Sequence, residues 1–156
     1  MRKYYILILC LLFLSCNQNN SSKNTTKNQE STDIHIVKLS KITTIYQNYD
    51  RAFLKAKEEN KAVFILFTTQ YCRWCNKLRE TTLIDKEITK RLNNDFIVLL
   101  LDKKQSFYPS KYRVKDIPSV YITDKNEEIF TSIVGYHKNP NDYIQWFDYV
   151  KAELSN

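Results

Sequence analysis

The 156-residue sequence has one glycine (Gly135), two histidines, three prolines and four cysteines. The scarcity of glycine excludes most. Phosphate-cradling loops and dinucleotide fingerprints need several glycines at fixed spacing, because backbone amides must approach the phosphates closely. Neither can be built here. The histidines, His35 and His137, lie too far apart for a His-Glu-x-x-His zinc-hydrolase pattern. There is also no long basic run. Although 24 Lys and Arg face 17 Asp and Glu for a net charge of +7, acids interrupt the cations and no run exceeds two, as at Lys103-Lys104. A nucleic-acid footprint is a basic stripe or cluster on one element. The charge therefore reads as a solvated mixed surface, with no nucleic-acid partner expected. What remains, 43% hydrophobic and 13% aromatic residues, suffices for one globular core.

The N-terminus carries an address. Arg2-Lys3 precedes eleven apolar residues, 4–14, too few for a bilayer span of about 20 but right for a secretory signal. Cys10 within it is apolar filler. Phe13-Leu14-Ser15-Cys16 resembles a bacterial lipobox, with Phe13 where Leu is usual. That resemblance implies cleavage before Cys16, lipidation of Cys16 and attachment to the periplasmic face of a membrane. Two acyl chains suffice for stable anchoring. Asn17 in place of Asp favours the outer membrane. Residues 17–33 contain no apolar side chain, so nothing offsets their ordering entropy. They read as a coiled tether of roughly 20–25 Å. The expected organisation is a signal at 1–15, a lipidated Cys and tether at 16–33, and a folded domain at 34–156, which retains two cysteines.

Within that domain, residues 50–60 read as a short amphipathic helix capped by Asn48 or Asp50. Residues 62–67 and 96–101 are unbroken apolar runs rich in β-formers, strands buried on both faces. Between them, residues 72–82 and 85–93 read as helical. Residues 119–123 and 128–134 form a hairpin around Asp124-Lys125-Asn126. Asn139-Pro140 starts a last helix whose Tyr143, Trp146, Phe147 and Val150 make one apolar core stripe. A parallel βαβ unit, an antiparallel hairpin and a closing helix make an α/β sandwich.

Cys72-Arg73-Trp74-Cys75 follows the first buried strand and begins a helix. Free amide N–H groups and the positive end of the helix dipole stabilise a thiolate there, so Cys72 reads as the attacking sulfur. Arg73 adds positive charge beside it. Cys75, one turn on along the same face, can resolve a mixed disulfide. Three other readings compete: a structural disulfide, worth only about 2 kcal/mol for so short a loop; zinc, which needs four ligands where this motif supplies two; and chance spacing of core cysteines.

Residues 67–78 resemble the active-site segment of thioredoxin-fold proteins: buried strand, turn, aromatic, CxxC, Lys and apolar residue. Residues 112–119, Tyr-Arg-Val-Lys-Asp-Ile-Pro-Ser, resemble that family's cis-proline segment, and Gly135 matches its glycine before the last helix. The resemblance runs from Tyr49 to Val150. Residues 56–67 and 79–82 look most like exported thioredoxin-like lipoproteins and the periplasmic thioredoxin domain of the transmembrane electron-transfer reductase. It implies a three-layer α/β sandwich, a mixed central sheet with helices on both faces. It also makes Cys72 the nucleophile, Cys75 the resolving thiol and Pro118 a cis-proline facing Cys72. Ile117 would offer its backbone to an extended substrate, and Tyr71 and Trp74 would rim the sulfurs. One feature departs from the family: Leu66 stands where cytosolic thioredoxins carry a buried Asp.

Together these readings imply a lipid-anchored thiol–disulfide oxidoreductase acting on exported disulfide-containing proteins, more in the reductive direction. It would use no metal or organic cofactor and would take electrons from a membrane redox partner. The alternative is a surface lipoprotein that uses the fold as an interaction module, with Cys72 and Cys75 locked in a structural disulfide.

Overall fold

The computed structural model describes Leu39 and residues 41–155. The signal, Cys16 and the tether lie outside them. The elements run β1 (Ile45–Tyr46), α1 (Tyr49–Glu59), β2 (Ala62–Thr68), α2 (Arg73–Lys77), a π-helical turn (Leu78–Thr82), α3 (Lys86–Asp95), β3 (Phe96–Asp102), β4 (Ser119–Thr123), β5 (Ile129–Val134) and α4 (Asn141–Leu154). Five strands form one mixed sheet in the order β1-β3-β2-β4-β5. β1, β3 and β2 are parallel, β4 runs antiparallel to β2, and β5 runs antiparallel to β4. The two-residue edge strand β1 went unpredicted, because two residues carry no alternation to detect.

The unbroken apolar runs are explained by helices on both faces. Phe64 and Leu66 point into one cluster with Leu78, Ile88, Leu92, Tyr143 and Phe147. Val63, Ile65 and Phe67 point into the other, with Tyr49, Phe53, Ala56 and Tyr112. Every residue of β2 and β3 is buried, so neither strand has a solvent face to alternate against.

Caps set the helix limits. The Asn48 side chain accepts from the Arg51 N–H at 2.9 Å, a cap worth about 1 kcal/mol against Ala. Asn60 ends α1 in the left-handed region, φ 53°, where most chains would place glycine. Asp85 caps α3 through the N–H groups of Glu87 and Ile88. At α4, Asn139 accepts from the Asn141 N–H at 3.1 Å and Pro140, just ahead of the helix, already has helical angles, so this pair starts the helix as the sequence suggests. The one glycine, Gly135, sits at φ 91° with nothing within 4 Å of where a Cβ would stand. Backbone angle and not space calls for it.

The continuous helix expected over 72–82 is instead a short α-helix running into a wider turn. The Leu83 N–H reaches back to the Leu78 carbonyl at 3.0 Å, and the Thr81 hydroxyl takes the Lys77 carbonyl at 2.7 Å. Thr82 turns its hydroxyl to the His137 carbonyl at 2.8 Å. The two threonines compete for or turn away from the ladder, and the turn opens.

Residues 103–118, without regular structure, are held by aromatics. Phe67 packs on Tyr108 and Tyr112 with ring centroids 4.8 and 5.9 Å apart, and Tyr112 meets Tyr121 edge-on. Tyr49 and Tyr112 share a buried hydroxyl–hydroxyl bond of 3.0 Å. Burial, with hydrogen bonds to Tyr112 and Glu127, drives the Tyr49 phenol far up. Burial pushes Tyr112 up to about 12, and burial with the Asp142 charge raises Tyr143.

A phenol raised above its unfolded value of about 10 adds stability that is complete below pH 10 and disappears as pH rises through the folded value. Unfolding free energy should thus be flat from about pH 7 to 9 and fall above about pH 10. In chemical denaturation, Tyr49→Phe/Tyr112→Phe should flatten that fall; an unchanged slope would assign the alkaline transition to other groups.

Candidate active site

β2 ends at Thr68, paired in register with Asp102, and the Lys103 N–H reaches the Thr68 carbonyl at 2.8 Å. That anchored end releases the chain into a tight turn, where the Cys72 N–H donates to the Thr69 carbonyl at 3.3 Å. Cys72 then becomes the N-cap of α2. Its sulfur accepts the Cys75 N–H at 3.1 Å, the position a Ser or Asp oxygen takes in an ordinary cap. Cys72 and Cys75 are joined as a disulfide, Cα atoms 5.2 Å apart. Cys72 is partly exposed, and Cys75 is fully buried. An incoming group can therefore reach only the first sulfur.

The surroundings fall into two kinds. Tyr71 stands out into solvent, 89% exposed, and the Arg73 side chain is exposed with its guanidinium 6.0 Å from the Trp74 ring. Trp74 is only half exposed. It stacks on Tyr136 with centroids 5.6 Å apart, and the Lys77 ammonium lies 5.1 and 4.9 Å from the two rings. Tyr136 is tied in turn to the Thr81 hydroxyl at 3.1 Å. Trp74 is thus packed under its neighbours as well as rimming the site. A shallow groove of about 500 Å³, lined by Tyr71, Arg73, Asn76 and Lys77 among others, opens beside the motif.

The Ile117–Pro118 peptide is cis. Pro118 is buried, and its carbonyl accepts the Gly135 N–H at 2.8 Å. Ile117 is half-buried against the cluster around Phe67, and among the described residues its N–H and C=O bond to no other backbone group. Cys16 lies outside the described residues. Leu66 is fully buried in hydrocarbon with Leu78 and Val120, so no carboxylate stands at that place.

Three residues escape a sequence reading. Tyr136 reaches Trp74 only because Val134 pairs with Ser119, and Lys77 needs both rings to be significant. Arg79 was unforeseen: only 6% exposed, it donates to Asn76 Oδ1 and leaves its Nε without a partner. Burial pushes its pKa down, and the Glu80 charge pulls partly the other way. Its helical distance of four from Cys75 was the available signal. Among the described residues, no three His, Cys, Asp or Glu side chains gather to hold a metal.

Residues 49–151 match the family described as Thioredoxin-like domain. The chain belongs to that family. Thioredoxin of Rickettsia bellii (strain RML369-C) is 33% identical over 79 residues, 50% of this chain and 73% of that protein. Spermatogenesis-associated protein 20 of Mus musculus is 33% identical over 72 residues, 46% of this chain; the match spans only 8% of that protein. The solution structure of a thioredoxin from Thermus thermophilus shares the fold, with a TM-score of 0.58 at 17% identity, covering 70% of this chain and 88% of that one. The expected mixed sheet with helices on both faces is thus the observed thioredoxin-like architecture. Such a fold with a CxxC pair at the end of β2 supports thiol–disulfide oxidoreductase chemistry at the level of the family.

The Trp74–Tyr136–Lys77 stack has a measurable worth. Tyr136→Ala should lower stability by about 1–2 kcal/mol, from the lost stacking and cation–π contact. In a Trp146→Phe background, the remaining Trp74 emission should shift to longer wavelength. Emission unchanged from the parent would show that the stack does not persist in solution.

Proposed function

We propose that this thioredoxin-like protein reduces disulfides in exported proteins while anchored by lipid at Cys16 to the periplasmic face of a bacterial membrane, the outer membrane favoured. The observation that carries the chemistry is the difference in exposure between the two sulfurs of the capped pair: Cys72 partly open, Cys75 fully enclosed.

In the reduced protein, the Cys72 thiolate keeps the Cys75 N–H as a hydrogen-bond donor and sits at the positive end of the helix. Arg73 and Lys77 add positive charge on the same segment, the exposed Arg73 being screened by salt. Cys72 attacks one sulfur of the substrate disulfide, forming a mixed disulfide and expelling the other sulfur as thiolate. Cys75 loses its proton and attacks the Cys72 sulfur. The second substrate thiolate leaves, and Cys72–Cys75 is oxidised. Two electrons pass to substrate and must be restored by a dithiol donor, for which we propose a membrane redox partner, because the periplasm is kept oxidising. Leu66 offers no carboxylate for the Cys75 proton, so water or a group from elsewhere accepts it.

Tyr71 and Trp74 would contact substrate at the rim. Ile117, whose backbone groups are unengaged, would pair with an extended chain as an added strand, beside Pro118. The N-terminal signal and lipobox resemblance support export; reduction is favoured over oxidation because Ile117 before Pro118 resembles thioredoxins.

Alkylation of reduced protein against pH should give a Cys72 pKa well below the free value of about 8.5. Cys72→Ser should abolish reduction of a small disulfide. Cys75→Ser, expressed in cells, should accumulate mixed disulfides that name the substrates. Titration near 8.5 with full activity in the Cys72 variant would instead support an interaction module with a structural disulfide.

A further inference from the structure

In sequence the cations look dispersed; the sheet topology gathers them. β2 and β3 are parallel and end side by side at Thr68 and Asp102. β4 starts at that same end, Ser119 opposite Phe67, and β5 finishes there, Val134 opposite Ser119. Segments 69–77, 103–118 and 135–140 therefore all leave or enter the sheet at the end that carries Cys72. Together they hold eight Lys or Arg and one acid, Asp116. The rest of the chain holds sixteen of each sign, so the whole net charge of +7 resides in these three segments.

Two of the eight are occupied: Lys111 reaches away from the sulfurs to pair with Glu127 of the 124–128 turn at 2.8 Å, and Lys103 donates to the Lys115 carbonyl. Arg73, Lys77, Lys104, Arg113, Lys115 and Lys138 are exposed and form no ion pair among the described residues. Phe107, 77% exposed, stands on the same end as Tyr71. The opposite end is mixed: Asp95, Asp124, Glu127 and Glu128 stand there with Lys61 and Lys125, and Lys111 and Lys57 bring their charges to Glu127.

We propose that the sulfur-bearing end is a docking surface for acidic polypeptide, selecting disulfides flanked by Asp and Glu. This rests on the oxidoreductase reading above. A polypeptide fits better than a lipid surface or a nucleic acid because the surface surrounds a disulfide and includes the unengaged backbone of Ile117. Clustered charge of one sign raises the encounter rate of an opposite-sign partner by 10-fold or more, and salt removes the gain.

The test measures single-turnover reduction of three disulfide peptides of equal length, flanked by acidic, neutral or basic residues, with reduced full-length chain. The acidic peptide should react about tenfold faster than the neutral one at about 20 mM salt and approach parity at about 500 mM. Lys104→Glu/Arg113→Glu/Lys138→Glu should erase the acidic-to-neutral ratio, whereas the charge-matched Lys57→Glu/Lys125→Glu/Lys151→Glu should preserve it. Because the ratio is read within each variant, partial loss of folded protein cancels. Equal rates for all three peptides overturn the docking surface and leave the redox reading standing. So does equality combined with binding to phosphatidylglycerol vesicles, or to single-stranded DNA, that the first triple variant loses. If no peptide reacts, the oxidoreductase reading fails and the docking proposal fails with it.

Discussion

The site depends on one contact, the Cys75 N–H donated to the Cys72 sulfur. It makes the cysteine a helix cap, and a cap is fixed by the elements on either side of it. On one side stands β2, buried throughout and clamped between β3 and β4. On the other stands a helical segment that buries Cys75 and Leu78 in its first two turns. Neither side can shift without opening the core. The sulfur is thereby held at the surface by a strand and a helix that are themselves interior. That is why an exposed reactive group can have a defined position without a rigid loop around it.

The electrostatics of the site are predominantly positive, with Glu80 the one acid lining the groove. Arg73 and Lys77 flank the motif, Arg79 is buried a turn beyond it, and Leu66 removes the carboxylate that would balance them. A buried guanidinium bonded only to a neutral amide is an unusual choice, since uncompensated charge inside a protein is expensive. The oxidised pair is neutral, whereas the proposed attack needs a thiolate at Cys72. On the proposed reaction, positive charge beside Cys72 favours its thiolate over its thiol, and Leu66 offers no carboxylate to accept the proton of Cys75. On that reading, activation of the first sulfur and deprotonation of the second would be decoupled.

Much of this was legible in the sequence because the signals were local. Caps at Asn48 and Asp85, apolar runs in β2 and β3, and the position of Cys72 after a strand all follow from residues within a few positions of one another. What escaped was non-local or sub-threshold. β1 is two residues long. The π-helical turn depends on where the Thr81 and Thr82 hydroxyls turn, the latter toward a residue 55 positions away. Trp74 was read as a rim residue, and its half-burial requires Tyr136, delivered by β5. The charge pattern is the clearest case: interleaved along the chain, it separates into a basic end and a mixed end once the β4–β5 hairpin brings 103–118 and 135–140 beside the sulfurs.

The same topology bears on how the chain is held. β1 runs parallel to β3, so the backbone arrives at Ile45 from the end of the sheet opposite the sulfurs. Just before it, Asn93 near the end of α3 accepts from both the N–H and the hydroxyl of Thr43 and donates to the Lys41 carbonyl. Leu39 and Ile42 pack into the core beside it. The edge strand is thereby fixed from the end of the sheet away from the sulfurs, through contacts that the β2–α2 turn does not share. Entry of the chain and the cysteine pair therefore occupy opposite ends of the same five strands, so a change in one can leave the packing of the other intact.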